Sequence, residues 1–374
     1  MKGRLESLWR LPGPSRFVET IARDLGDGAS VVLRFGPNLP AALDDHMEQH
    51  CRRRGYRWTT AAASGGIRPL SLIRTAAGLD SSAAGPASWR RLVLHESLQH
   101  RVFWIDGLTP ADWPRWRRFL LSYAHARRNA VTDAGGPPIF VAPLCGPGFQ
   151  DDDLADPMLS YREFRDAVDR DDLLMLALQN PNASGRNRAI RSLFANTVAQ
   201  LAQWDLVLAR RLLDGGPDAA FEPRPILEDY ARERGWTDNT PEAWVEGTLD
   251  GPRDRPIIHS ALLLVQGREA ELNRRLWAAQ AAVLMPLLEE RRAELVHRHR
   301  HRFRLPFETE IGVFEKPEDL EIGLLVHYFS IHKAEGRGLT AKARKLRNFR
   351  NKLAHLEPLS PREATHPILL NPIA

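Results

Sequence analysis

Apolar residues recur at helical spacing through RFVETIARDLG at 16–26, where a glycine closes a predicted helix. They then condense into SVVLRF at 30–35, a β-branched run that predicts a buried strand. A second helix is predicted over AALDDHMEQHCRRRG at 41–55. Residues 61–88, with SGG and GLDSSAAGPAS, hold few large apolar side chains and read as loop. RLVLHE at 91–96 and RVFWIDGL at 101–108 predict further strands. TPADWPRWRRFLLSYAHARR at 109–128 predicts an amphipathic helix with a proline-marked start, and PPIFVAPLCG at 137–146 another strand. Strands alternating with helices predict an α/β domain with a parallel sheet over residues 1–150.

The pattern changes after GPGFQDDDLADP at 146–157, whose Asp151, Asp152 and Asp153 read as a solvated acidic turn. SYREFRDAVDRDDLLMLALQ, RNRAIRSLFANTVAQLAQWDLVLARRLLDGG and NRRLWAAQAAVLMPLLEERRAELVHRHRHRF all carry helical periodicity, and β-branched clusters nearly vanish. The expectation is an all-α remainder, divided into a helical middle region at 158–260 and a helical domain at 261–374. Pro286 is expected to kink or end the longest helix. Residues 214–226 and 234–257 read as connections or an insertion, and no fixed-period repeat is visible.

Composition narrows the class. No run approaches the roughly 18 apolar residues of a membrane span, and the charged start MKGRLESLWR is unlike a signal peptide, so a cytoplasmic protein without membrane partner is expected. Cys51 and Cys145 are too few for a disulfide framework or a thiolate zinc site, and read as buried apolar residues. Of 374 residues only Lys2 is a lysine before Lys316, whereas Lys333, Lys342, Lys345 and Lys352 crowd the end with Arg344, Arg347 and Arg350. The bias of arginine over lysine is what a GC-rich genome produces, and a net charge of only +5 permits nucleic-acid contact without implying it; in the C-terminal cluster, concentrated like residues 297–304, Lys342, Arg344, Lys345 and Arg347 are the candidate contacts.

Three constellations have bland readings that win on spacing. His46, Glu48 and His50 in HMEQH lack the glutamate directly after the first histidine that a zinc hydrolase helix needs, and read as a solvated face. His297, His299 and His301 alternate with arginines, which scatters the imidazoles around a helix, so no metal is expected there or elsewhere; the cations suit a helix C-terminus. Trp104, Trp113 and Trp116 could stack bases, but Trp113 and Trp116 at three-residue spacing are what a core requires.

The element order of the first half, a strand entering a Gly-containing turn, a helix, then an apolar strand ending in acid, resembles a degenerate P-loop NTPase. The resemblance implies that Gly36 marks the phosphate loop and Asp106 the magnesium-holding acid. Where that family has G-x-x-x-x-G-K-[ST], this chain has GPNLPAALD, without the lysine, the second glycine or the hydroxyl. Pro37 and Pro40 also remove two backbone donors. A conventional ATPase is therefore excluded, no cofactor is expected, and a scaffold role is the expectation.

Near the C-terminus, TAKARKLRNFRNKLAHLEPLSP at 340–361 reads as a helix ending near Leu356 and closed by Pro358 and Pro361. Its Arg350, Asn351 and His355 form RN-x3-H, which resembles the signature of the HEPN superfamily (higher eukaryote and prokaryote nucleotide-binding) in its abortive-infection-like form. That resemblance implies a homodimer of helical bundles, in bacterial defence or stress response, that cleaves RNA without metal. Arg350, Asn351 and His355 are its candidate catalytic residues. Histidine, with an ordinary pKa of about 6.5, suits proton abstraction from a ribose 2′-hydroxyl, and arginine suits the developing phosphorane charge. The alternative is a non-catalytic adaptor for a protein or nucleic-acid partner, in which Arg350 pairs with an acid such as Glu321 and His355 caps its helix.

Overall fold

The computed structural model describes residues 8–63, 66–79, 89–128, 136–150, 154, 156–180, 187–332 and 337–372. The acidic triplet at 151–153 and Lys333 lie outside them. Contacts divide the chain into two units, Met1–Asp169 with Pro241–Ile258, and Arg170–Thr240 with His259–Ala374.

The first unit is a five-stranded, all-parallel sheet in the order β2-β3-β4-β1-β5, formed by β1 (Ser30–Phe35), β2 (Arg57–Ala62), β3 (Arg101–Asp106), β4 (Ile139–Cys145) and β5 (Leu159–Glu163). Its helices are α1 (Pro12–Gly26), α2 (Leu43–Arg53), α3 (Pro69–Ala76), α4 (Trp89–Val93) and α5 (Trp113–Arg128). β1 is buried at every position, as a central parallel strand covered on both faces must be. Pro143 is tolerated in β4 because the ladder with β3 stops at Trp104↔Val141, leaving the far half of β4 paired to β1 alone.

Trp113, Trp116, Phe119 and Tyr123 of α5 bury themselves against the sheet, with Tyr123 and Phe119 rings 4.9 and 5.3 Å from Phe140. Trp104, Trp113 and Trp116 are each 1% exposed, so all three are core residues with no face to offer a base.

Several sequence expectations change. RLVLHE is not a strand: residues up to Val93 end α4, and Leu92 and Val93 pack into the core from a helix. The 61–88 loop contains the end of β2 and all of α3, whose apolar Leu72 and Ile73 are buried. The helical reading of SYREF is replaced by β5, an edge strand whose half-exposed pattern lacks an apolar run.

The second unit is mostly helical: α6 (Arg170–Leu178), α7 (Arg188–Ala202), α8 (Leu206–Phe221, bent at Gly216), α9 (Arg224–Arg234), α10 (Ser260–Val265), α11 (Glu269–Arg298), α12 (Ile322–Ile331), α13 (Arg337–Ala354), α14 (Pro361–Ala364) and α15 (Pro367–Leu370). Pro286 does not end α11, which runs unbroken for 30 residues. A small hairpin, β8 (Phe307–Thr309) with β9 (Gly312–Phe314), joins α11 to α12, and the two-stranded β6 (Leu249–Asp250) and β7 (Ile257–Ile258) belong to the first unit. Among the described residues no helix is long and apolar enough to cross a membrane.

α13 buries Leu339, Ala343, Leu346, Phe349 and Leu353, one stripe at three- and four-residue spacing, in a core shared with Leu284 and Leu288 of α11. α11 also fixes the chain after α13. The Trp277 indole donates to Leu353 O (2.6 Å). The Gln280 amide donates to Leu359 O (2.9 Å) and accepts from Leu359 N–H (2.6 Å), and Arg291 Nε donates to Leu369 O (3.2 Å).

Candidate functional sites

In an open parallel sheet, ligands bind beyond the C-terminal strand ends where the winding direction reverses. Here β1 connects to the far edge strand β2, whereas β4 connects the other way, past β1 to β5, so the reversal falls at β1 and β4. Gly36 follows β1, Cys145 ends β4 with Gly146 after it, and the exposed Asp106 ends β3, so Gly36 and Asp106 both lie at this rim of the sheet.

Arg34 dominates the rim. It is 1% exposed, and its guanidinium donates to Phe35 O (2.7 Å), Leu144 O (3.3 Å) and Gly146 O (2.6 Å), tying β1 to β4 from within. The rings of Phe149 and Trp244 flank it at 5.3 and 5.8 Å. Trp244 belongs to the segment Pro241–Ile258, which returns to cover the loop GPNLPAALD. A Cβ on Gly36 would lie 3.2 Å from Trp244 O, and one on Gly247 only 2.8 Å from Pro37. Burial pushes the Cys145 thiol up to about 11 and Cys51 to about 12, as expected of apolar rather than reactive thiols.

The covering segment is clasped at Asp250, whose carboxylate accepts from Asp166 N–H (2.8 Å) and Gly251 N–H (2.6 Å), while Arg165 Nε donates to Gly251 O (2.9 Å). Burial raises Asp250 to about 6, against these hydrogen bonds and the Trp244 indole. A carboxyl whose folded pKa exceeds its unfolded value of about 3.9 makes stability fall as pH rises from about 4 through 6. Asp250→Asn keeps an acceptor oxygen and removes the buried charge. The expected result is a gain of about 1–2 kcal/mol at pH near 7.5 and little change at pH near 4.5. Urea midpoints at the two pH values test this; an unchanged pH dependence in the variant would contradict it.

In the second unit, Arg350, Asn351 and His355 are all exposed. Among the described residues none of the three side chains makes a hydrogen bond or ion pair. α13 stops at Ala354, where His355 N–H donates to Asn351 O (3.0 Å) and Lys352 O (3.1 Å) and Glu357 N–H to Lys352 O (3.0 Å). Leu356 takes the left-handed conformation (φ 61°) that this closure needs, at a cost of about 1 kcal/mol for a non-glycine residue.

Asn351 and His355, four residues apart, share a face, while Arg350 is turned about 140° from His355 around the helix. Arg350 instead lines a cavity of about 320 Å³ with Glu289, Glu318, Asp319 and Glu321 at its rim and Leu288 and Leu346 among its apolar lining. Glu321 thus faces the same cavity without an ion pair to Arg350 among the described residues. Of the basic candidates, Lys342 and Lys345 lie on the opposite flank of the buried stripe from Arg350 and Arg347, and Arg344 points outward.

His46 stacks on Trp9 (6.0 Å) and lies 5.7 Å from His50, Glu48 pairs with Arg52 (2.7 Å), and no metal-holding group of side chains occurs among the described residues. Sequence reasoning missed a different histidine. His259, 1% exposed, donates from Nε2 to Asp205 Oδ2 (3.1 Å) and accepts at Nδ1 from Ala261 N–H (3.1 Å), which fixes a neutral ring with both nitrogens engaged. Asp205 also accepts from the Tyr230 hydroxyl and from Val207 and Leu208 N–H, capping α8. Because both ring nitrogens are engaged, the cluster holds the helices together and has no free base.

No protein-family model matches the chain, and no curated protein sequence matches it.

Proposed function

We propose that the helical unit is a HEPN-like, metal-independent endoribonuclease of bacterial defence or stress response, acting as a homodimer, and that the α/β unit is a degenerate P-loop-type scaffold. The observation that carries the nuclease reading is that Arg350, Asn351 and His355 are exposed and uncommitted, while other residues of α13 form the core. Arg34 and Trp244, filling the rim where a nucleotide would sit, support the scaffold reading.

The roughly 140° between Arg350 and His355 calls for two copies, so that one copy's arginine meets the other's histidine. His355 takes the proton from a ribose 2′-hydroxyl. The 2′-oxygen attacks phosphorus, the 5′-oxygen leaves with a proton from the second copy's imidazolium, and a 2′,3′-cyclic phosphate remains. Arg350 holds the phosphorane charge and Asn351 orients the imidazole.

Chelator-resistant cutting of single-stranded RNA, with DNA intact, is expected. His355→Ala should slow it by about 10²–10⁴ without loss of fold. Equal rates for the two proteins, contaminating nuclease excluded, would overturn the reading. A second reading, an adaptor, is favoured by one feature: the acid-rimmed cavity at Arg350 would accept a basic side chain of a partner protein. It expects no cleavage by the unmodified protein.

A further inference from the structure

Two basic segments far apart in sequence meet in the second unit. HRHRHRFR at 297–304 spans the end of α11 and the turn Arg300–Arg302, and α13 packs against α11 through the shared core. Together 297–304 and α13 hold eleven Lys and Arg residues and no acid, whereas the whole chain is only +5, so the rest of the molecule is net acidic. The two segments join at His299. Burial and then the positive charges of Arg302, Lys342, His301 and Arg298 hold it below the ordinary histidine value; these come from α11, from the turn and from α13.

The rings of His299 and His301 lie 6.5 Å apart, Arg302 Nε donates to His301 Nε2 (3.4 Å), and His299 Nε2 is buried with no hydrogen-bond partner. Lys345, on the same flank of α13 as Lys342, sits 5.3 Å over the Phe349 ring. Glu318 pairs with Arg300 (3.1 Å) at the margin. A concentration of Lys and Arg in a molecule whose remainder is net acidic focuses positive potential on one region, and a polyanion is drawn to it.

We propose that RNA is docked by its phosphate backbone on this surface, formed by Arg298, His299, His301 and Arg302 at the end of α11 with Lys342 and Lys345 of α13. This rests on the ribonuclease reading and adds a binding surface on the flank of α13 opposite Arg350. An anionic membrane fits less well. The apolar residue of the stretch, Phe303, is turned inward onto Tyr328 (5.0 Å) and Phe329 (5.6 Å), so the surface has cations but no wedge to bury in lipid.

The test measures binding of a fluorescein-labelled oligouridylate to full-length His355→Ala protein, across a salt series, with and without Arg298→Glu, Arg302→Glu and Lys342→Glu together. Single-stranded RNA loses about 0.7 in salt slope per phosphate contact, so the triple reversal should lower the slope by about 2 and weaken binding at least roughly tenfold. Arg298→Lys with Arg302→Lys, which keeps the charge, should bind nearly as well as the parent, and bound RNA should raise the His299 pKa followed by NMR. Unchanged affinity and slope in the triple reversal, or capture by phosphatidylserine vesicles but not by RNA, would overturn the proposal. Protein that binds RNA here but never cuts it removes the nuclease reading and leaves the surface. Protein that cuts, with reversal variants binding and cutting as before, does the opposite.

Discussion

Asp205→Ala is expected to destabilise the helical unit by about 3–5 kcal/mol, enough to unfold a marginal domain at ambient temperature. The carboxylate is 13% exposed and serves four donors: Val207 N–H (2.7 Å), Leu208 N–H (3.1 Å), the Tyr230 hydroxyl and His259 Nε2–H (3.1 Å). Loss of the helix cap alone costs about 1 kcal/mol. The larger part comes from His259 and Tyr230, whose buried donors are left without an acceptor at about 1–3 kcal/mol each. Burial pushes Asp205 up, but hydrogen bonds from His259, Tyr230 and the backbone outweigh it and bring the carboxyl to about 2. Burial holds His259 below its ordinary value of 6.5. Both shifts have the same sign for stability. A depressed carboxyl and a depressed imidazole each take up protons more readily in the unfolded chain, so their contribution is complete above about 6.5 and is lost as pH falls, first through the histidine and then from about 4 toward 2. Asp205→Ala should therefore lower the urea midpoint of the helical unit most at neutral pH and progressively less in acid. An Asp205→Ala protein within 1 kcal/mol of the parent at pH near 7 would show that the cluster does not hold the helices together.

This cluster marks the limit of what the linear sequence discloses. Asp205 lies inside a stretch whose helical periodicity runs on unbroken, although the helix stops at Ala202 and restarts at Leu206; His259 is 54 residues further on, and nothing in either segment names the other as partner. The same distinction runs through the fold. β1, β3 and β4 are central strands, apolar at nearly every position, and stand out as SVVLRF, RVFWID and IFVAPLC. β2 and β5 are edge strands, half-exposed as RWTTAA and LSYRE, and carry no such run. RLVLHE has a strand's composition but only five or six residues, too short for periodicity to separate a strand from a buried helical turn. The RN-x3-H residues are legible because they are contiguous on one helix. Glu321 and the basic run 297–304 can be picked out one by one, but Glu289, Glu318 and Asp319 beside Arg350, and the meeting of 297–304 with α13, cannot, because these residues come together from segments more than 30 residues apart.

Arg34 carried a signal of its own, a charge inside an otherwise apolar strand, and its replacement is the second large effect expected. Arg34→Met keeps the stem's bulk and removes the guanidinium, leaving Phe35 O, Leu144 O and Gly146 O without the donor that joins them. Buried acceptors left unsatisfied cost about 1–3 kcal/mol each, so a loss of about 3–5 kcal/mol from the α/β unit is expected. Arg34→Lys should recover little of it. A single ammonium lacks the planar fork that reaches carbonyls of two strands at once, and it is more costly to desolvate between Phe149 and Trp244. Because the same guanidinium lies against Trp244, the covering segment should loosen with it, and hydrogen exchange should accelerate at Trp244 and Gly247 as well as along β1 and β4. Faster exchange confined to β1 and β4, with the cover unaffected, would show that the contacts of Asp250 and Arg165 hold the segment in place without Arg34. An Arg34→Met protein as stable as the parent would show that the strand ends find other donors, and that the rim is open enough for water to supply them.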